Sequence, residues 1–278
     1  MKHLKIILLC LILSLFHNSF AQENEMLAYK STMLGMGTIN VYDSYLSPLN
    51  YSGSSLGLID EYWEMTKLLE GNVAIQQLFN LDFSSTLNKV GNSIEYNGLM
   101  EYNCGLFYRF APLSKLKIFA GSQVNGLGGF IYNVRNSNNP VTIKAHLNLT
   151  LSGAASYDFR IKLQPFRLRC QISTPLVGLM FSPQYGQSYY EISLGDESQL
   201  IYFSSFHNHF SLRNSFSLEI PLWFMTLRLM YVNSIYETFI NGIDTRIHNN
   251  SFMIGFSEEF FTVSGKKQMK GNYKKVFE

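Results

Sequence analysis

The chain has 278 residues and a formal net charge of only +2, so charge gives no reason to expect a nucleic-acid partner. Charged residues make up 15% of it, against about 25% in typical soluble proteins, and aromatic residues make up another 15%. A water-covered surface normally carries more charge, so the composition disfavours an ordinary soluble domain. After residue 21, the sequence never approaches the about 18 consecutive apolar residues that mark a membrane helix. A chain with so few charged residues and no membrane helix is best explained by strands in which apolar and polar residues alternate.

The first 21 residues have the organisation of a secretory signal peptide. Lys2 and Lys5 precede an apolar run over residues 6–16, which is too short to span a bilayer. Small residues follow and end at Ala21. We therefore expect cleavage near Ala21 and a mature chain that begins at Gln22.

Beyond the signal peptide, apolar and polar side chains alternate in ten separate runs. The clearest run spans residues 143–151, where every second residue from Ile143 to Leu151 is apolar and the residues between them are polar. This period predicts strands with one apolar and one polar face, each near the ~9–11 residues of a tilted membrane strand. The ten predicted strands lie near residues 31–42, 52–66, 72–84, 95–110, 116–125, 143–151, 166–173, 210–219, 225–231 and 251–257.

The predicted connections alternate between short and long, as periplasmic turns and extracellular loops do in outer-membrane barrels. The sequence therefore predicts an all-β fold, a transmembrane antiparallel up-and-down β-barrel of about ten strands over residues 22–262. Twelve strands result if residues 189–194 and 200–203 form another hairpin in the longest connection. The short connections are predicted at residues 67–71, 111–115, 158–164 and 220–222, and the long ones at 43–51, 85–94, 126–141, 174–205 and 237–247.

The polar faces favour a membrane barrel over a soluble one. A lipocalin-like barrel also alternates, but it turns its apolar face inward and its polar face to water. Here the polar faces consist mostly of Ser, Asn, Thr and Gly, which suit a packed lumen better than a water-facing surface. Aromatic residues on the apolar faces resemble the girdles found at membrane interfaces. They are Tyr96, Tyr102, Tyr108, Trp223 and Tyr231.

Nine ionisable residues fall on the predicted inner faces. A ten-stranded barrel is narrow, since ~8 strands are just filled by side chains and open channels appear near ~16 strands. Charges buried in so small a space must pair, so we expect a hydrogen-bonded polar network that fills the lumen. The nine residues are Lys144, His146, Arg167, Arg169, Arg213, Arg228, Asp82, Glu101 and Glu219.

A group of His, Ser and acidic residues lies near the predicted rim. In the predicted register, His207 and His209 face inward, where a His beside a Ser or a carboxylate can act as a general base. The same pair can bind a metal if His248 or Asp244 supplies a third ligand. No motif enforces either arrangement, so we expect polar residues that satisfy one another, with no metal and no cofactor. The catalytic candidates are His207, His209, Ser205 and Asp196, with Ser204 and Glu197 beside them.

The segment after Phe261 carries five lysines and no sustained alternation. We expect residues 263–278 to form a basic tail outside the barrel, in the periplasm. Such a tail is either solvated or attracted to anionic lipid headgroups.

The segment Tyr42–Gly53, with the sequence YDSYLSPLNYSG, resembles the first-loop motif of a family of uncharacterised Bacteroidota outer-membrane proteins that carry a domain of unknown function. The end of the signal peptide, Ala21-Gln22, adds to this resemblance, which extends loosely over the mature chain. It implies an outer-membrane location and supplies no catalytic residues. From the residues alone, the segment predicts a strand, a turn at Pro48 and a second strand, with Gly53 permitting a bend.

Three classes of function follow, in order of preference. The first is a structural or interaction barrel, without enzymatic activity, whose loops meet a surface or periplasmic protein partner. The second is a hydrolase that acts at the rim on lipid or peptide, and the third is a narrow pore. In each case we expect outer-membrane lipid around the barrel and no nucleic-acid partner.

Overall fold

The computed structural model describes residues 26–195, 199–222, 225–262 and 276–277. Several predictions fall outside these residues. They concern the signal peptide, Asp196, Glu197, Trp223 and the lysines of the tail.

Eleven strands form one antiparallel sheet in the described part of the chain. They are β1 (Met26–Asp43), β2 (Ser47–Met65), β3 (Val73–Asn88), β4 (Ile94–Leu113), β5 (Leu116–Asn133), β6 (Val141–Ile161), β7 (Gln164–Phe181), β8 (Ile201–Ser205), β9 (His209–Pro221), β10 (Thr226–Ile240) and β11 (Ile243–Thr262).

Ten of these strands close into a ring. Each pairs with its neighbour in sequence, β1 pairs with β11, and β7 reaches β9 directly. The extra strand, β8, adds only to the second half of β7. The prediction of an antiparallel barrel of ten strands is therefore confirmed.

The register of the ring sets the tilt of its strands. Followed from neighbour to neighbour, the row of paired residues that starts at Tyr108 on β4 returns to β4 at Tyr96, twelve residues away. Such a stagger goes with strands tilted by roughly 40° to the barrel axis. The interior of a ring of this size is filled largely by side chains.

Apolar side chains point outward and polar side chains point inward. On β6, Leu147 is 56% exposed and Leu151 is 47% exposed, whereas Lys144 and Thr150 between the apolar residues are buried. The tyrosines of β4 that were predicted to face outward are exposed as well. This arrangement is the reverse of a soluble barrel with an apolar interior.

The predicted rhythm of short and long connections is wrong at two of the predicted long connections. The connection predicted at 43–51 is the turn 44–46, and the one predicted at 237–247 consists of residues 241–242. The strands are longer than predicted because polar outward residues continue the ladder beyond the apolar band, where the sequence pattern indicated loop. Examples are Asn40, Ser52, Glu237 and Arg246.

The longest connection contains one strand and one short helix instead of a hairpin. Residues 201–203 contribute to β8, but the other half of the proposed hairpin forms α1 (Tyr189–Ser193). Ser188 and Glu191 make a capping box, in which each side chain accepts a hydrogen bond from the backbone N–H of the other residue. Among the described residues, no helix is long and apolar enough to cross a membrane.

Candidate functional site in the barrel lumen

The turn between β1 and β2 covers one mouth of the lumen, which we call the loop end. Tyr45 folds inward, donates a hydrogen bond from its hydroxyl to the Gln187 carbonyl at 2.7 Å, and packs edge-on against Tyr189. Burial raises the pKa of Tyr45 to about 12, so its hydroxyl remains a donor at neutral pH. A buried apolar cluster, the loop-end cap, lies at this mouth. It consists of Ile39, Val41, Tyr45, Leu46, Tyr51, Ile131, Met180, Tyr236, Ile240, Ile243 and Ile247.

Asp43 supports this cap from within the barrel. Its fully buried carboxylate accepts hydrogen bonds from the Tyr45 N–H at 3.0 Å and the Thr245 hydroxyl at 2.8 Å. It also forms an ion pair with Lys144, whose Nζ lies 2.5 Å away. The predicted lumen lysine thus finds its counter-charge in the segment Tyr42–Gly53.

The predicted roles of the proline and glycine in this segment need correction. Pro48 lies inside β2, because the turn is already complete at Leu46. Gly53 also lies within β2, directly against β3. A Cβ on Gly53 would lie 2.0 Å from the carbonyl oxygen of Ser85, so close strand approach requires glycine there.

Four buried side chains form a charged layer nearer the opposite mouth, the turn end, where β1 begins. Arg169 contacts a carboxylate oxygen of Glu219 and one of Glu61, each at 3.2 Å. Arg228 contacts the other Glu61 oxygen and lies 3.7 Å from Glu219. Two carboxylates therefore balance two guanidinium groups, and the Tyr29 hydroxyl completes the layer with a hydrogen bond to Glu219 at 2.5 Å.

Arg167 lies beside this layer and has its own acidic partners. Its guanidinium contacts Asp158 at 2.8 Å and Glu259 at 2.9 Å, and it lies 3.7 Å from Glu219. The charges predicted on β7 are consequently all engaged in ion pairs.

A cavity of about 110 Å³, lined by both polar and apolar side chains, separates the charged layer from the loop-end cap. Arg213 and Glu101 form an ion pair at 3.1 Å on its wall. Asn125 donates to Glu101 at 2.7 Å, and its amide oxygen lies 2.7 Å from Nε2 of His146. Asp82 accepts hydrogen bonds from two asparagines, Asn80 and Asn249. The predicted lumen residues thus form paired groups around one small cavity.

His209 faces this cavity, as predicted, but it is buried. Its ring lies 5.2 Å from the His146 ring, and its Nδ1 lies 3.1 Å from the Ser204 hydroxyl. Ser204 and His209 are 1% and 2% exposed, so a substrate outside the barrel cannot touch this pair. In the part of the chain that the structure describes, no carboxylate lies within hydrogen-bond distance of His209.

His207 does not face the lumen, so the predicted register is wrong at this residue. It lies in the turn between β8 and β9, where its exposed ring stacks on Phe203 with 6.3 Å between ring centres. Its Nδ1 lies 2.6 Å from the Ser205 hydroxyl. The structure therefore brings two of the catalytic candidates, Ser205 and His207, together at the loop-end rim.

The other candidate metal ligands lie apart from the two histidines. His248 contacts Glu237 at 2.8 Å, and Asp244 pairs with Arg246 at 2.6 Å. Within the four described ranges, no group of three or more His, Cys, Asp and Glu side chains is arranged to hold a metal ion.

Val276 and Phe277 lie inside the turn end of the barrel, at 2% and 1% exposure. The expectation of a tail wholly outside the barrel is therefore wrong for these two apolar residues, which bury themselves among aromatic rings. For the lysines of the tail, a position outside the barrel stays a prediction. The resulting turn-end cluster consists of Tyr29, Trp63, Met65, Ala74, Phe107, Phe119, Val276 and Phe277.

A family model described as "Protein of unknown function (DUF3316)" matches residues 4–267. The chain belongs to the DUF3316 family. A comparison of this family member with curated proteins found no match.

Solved structures with similar folds include autotransporter barrels, at low similarity to this DUF3316 protein. The transport unit of AIDA-I from Escherichia coli is 8% identical over 84% of this chain and 91% of that chain, with a TM-score of 0.41. The translocator domain of NalP from Neisseria meningitidis is 8% identical over 92% and 95%, with a TM-score of 0.40. The β domain of Bordetella BrkA is 9% identical over 86% and 100%, also at 0.40. Similarity at this level carries no argument about activity.

Sequence reasoning missed two central acidic residues of this DUF3316 barrel. Glu61 bridges both arginines of the charged layer, yet its strand alternates unclearly because Gly57 and Ile59 share its inward face. The sequence predicted Asp43 at the start of a loop, whereas in the structure it lies on the inward face of β1. A search for acidic residues at inward positions, to match the predicted cations, would have found both.

Proposed function

We propose that the protein is an outer-membrane β-barrel of structural or interaction type, with a lumen filled by side chains and with loops that meet a surface or periplasmic protein partner. The exposed apolar outer surface supports lipid as the surroundings, because soluble monomers rarely expose large contiguous apolar patches. Residues on this surface include Leu34, Leu56, Phe83, Met100, Leu147, Phe216, Phe252 and Phe256, each at least 50% exposed.

Two buried apolar clusters, one at each end of the lumen, are the observation that supports a structural or interaction role over a pore. The loop-end cap lies at one mouth, and the turn-end cluster lies at the other. Between them, the charged layer crosses the lumen with its charges paired. A solute would have to break these ion pairs and displace both apolar clusters to pass.

Conductance in planar lipid bilayers tests this proposal. The purified full-length protein should insert without discrete conductance steps, while an open porin inserted under the same conditions gives them. Discrete steps from the parent protein would instead support the narrow-pore alternative.

A rim-active hydrolase is the second candidate, and the contact between Ser205 and His207 supports it. If this pair hydrolyses lipid or peptide, Ser205→Ala and His207→Ala should each abolish turnover of a lipid-ester or peptide reporter. Ser204→Ala is the matched control, because Ser204 is buried beside His209. A parent protein with no turnover above background would eliminate this candidate.

The export signal and the origin in Bacteroidota stay predictions. Sequencing of the mature protein tests the first, with Gln22 expected as its first residue. The genome that encodes the chain tests the second.

A further inference from the structure

Phe277 occupies a pocket that surrounds its ring on several sides. The Arg169 guanidinium carbon lies 3.8 Å from the ring centre, within the range of a cation–π contact. The rings of Tyr29, Trp63 and Phe119 lie 5.0, 5.5 and 5.6 Å from it in edge-on arrangements. Edge-to-face packing at these separations is favourable beyond the burial of apolar area alone.

Two cations hold the backbone of the same two residues. Lys117 donates from Nζ to the Phe277 carbonyl at 3.3 Å, and Arg109 donates to the Val276 carbonyl at 3.5 Å. Both cations project from the wall of the barrel, one from β5 and the other from β4. The wall of the barrel therefore contacts both the side chain of Phe277 and the main chain of Val276 and Phe277.

The segment is held without any pairing to the barrel sheet. The ladder of β11 ends at Thr262, which pairs with Met26 at the turn end, and residues 263–275 separate it from Val276. A connection of this length, at up to ~3.3 Å per extended residue, easily reaches across the barrel mouth. Withdrawal of Val276 and Phe277 would thus break no ladder hydrogen bond.

We infer that Val276 and Phe277 form an intramolecular plug, which seats in an aromatic and cationic pocket and closes the turn end of the lumen. The seated plug shields Trp63 and the charged layer behind it from water. With the plug withdrawn, the guanidinium of Arg169 faces an open mouth and the charged layer becomes the outermost barrier. The turn end is then a closure that can be released while the barrel stays intact.

Protection of a thiol in the folded full-length chain tests the plug. In a background whose native cysteines are replaced by serine, the Val276→Cys variant should resist a membrane-impermeant maleimide. Addition of Phe277→Ala should raise the labelling rate by roughly a hundredfold, because loss of a buried aromatic ring favours the open state by about that factor. Phe256→Ala is the matched control, since that ring is 53% exposed on the outer face, and it should leave the thiol protected.

Quenching of Trp63 by iodide gives a second measurement in a Trp223→Phe background. Trp63 should be shielded with Phe277 present and accessible in the Phe277→Ala variant. If Phe277→Ala lacks the heat-modifiable gel mobility of a folded barrel, Phe277→Leu replaces it, with a smaller increase in both signals. Labelling of the Val276→Cys variant as fast as that of Leu163→Cys, which lies at a fully exposed turn, would overturn the plug. Unchanged protection in the folded Phe277 variants would overturn it as well.

Discussion

The replacement Glu61→Gln should strongly destabilise the barrel. The Glu61 carboxylate accepts hydrogen bonds from Trp63 at 2.7 Å and Gln76 at 2.9 Å, and it balances Arg169 and Arg228. Glutamine keeps the shape of the side chain but removes its charge. Glu219 is then the carboxylate that remains in this layer to balance the two guanidinium groups. All these charged side chains are at most 6% exposed, and removal of one partner from a buried ion pair costs about 3–5 kcal/mol.

The matched control is Asp60→Asn, one residue away on the opposite face of β2. Asp60 pairs with Lys30 at 3.9 Å, and both side chains are more than a third exposed, so loss of this pair should cost at most ~1 kcal/mol. Urea titrations of folding in detergent micelles, followed by gel mobility and tryptophan fluorescence, measure both free energies of unfolding. An equal loss in the two variants, or a loss under ~1 kcal/mol for Glu61→Gln, would refute the charged layer as a stabilised buried unit.

Two further substitutions test the faces and the packing of the wall. Leu149→Arg should weaken folding into lipid vesicles by ~2–4 kcal/mol if this residue faces lipid at mid-depth. Leu163→Arg, at an exposed turn, is the control and should fold like the parent. Equal behaviour of the two variants would contradict the register. Gly53→Ala should destabilise the pairing of β2 with β3 by roughly 1–3 kcal/mol in the same urea titration, because its Cβ would collide with the carbonyl oxygen of Ser85. Gly128→Ala is the control, since a Cβ there meets no atom within 4 Å, and a parent-like Gly53→Ala would show that the approach of the strands is not required.

The strand faces were predictable because side-chain direction follows from a local period of two residues. The run from Ile143 to Leu151 shows this, since its apolar members are exposed on the outer face of β6 and its polar members face the lumen. The strand ends were not predictable, because polar outward residues look the same whether the ladder continues or a loop begins. For that reason the predicted loop at 43–51 contained the ends of two strands.

The contacts within the lumen depend on ring closure, which no local pattern reveals. Glu61 lies 108 residues before Arg169 in sequence, and the two meet only because β2 and β7 face each other across the barrel. The burial of Val276 and Phe277 was likewise hidden, because the surrounding lysines dominate the composition of the tail. His207 was misplaced because strand alternation was extended across a turn.

Fractionation of cells that express the full-length chain, combined with gel mobility before and after heating, measures whether the barrel resides in the outer membrane. We expect the protein to sediment with the outer membrane, to require detergent for extraction, and to change its mobility when the folded barrel is boiled. Recovery from the soluble periplasm without detergent would rule out this location, because the exposed apolar surface would then be facing water.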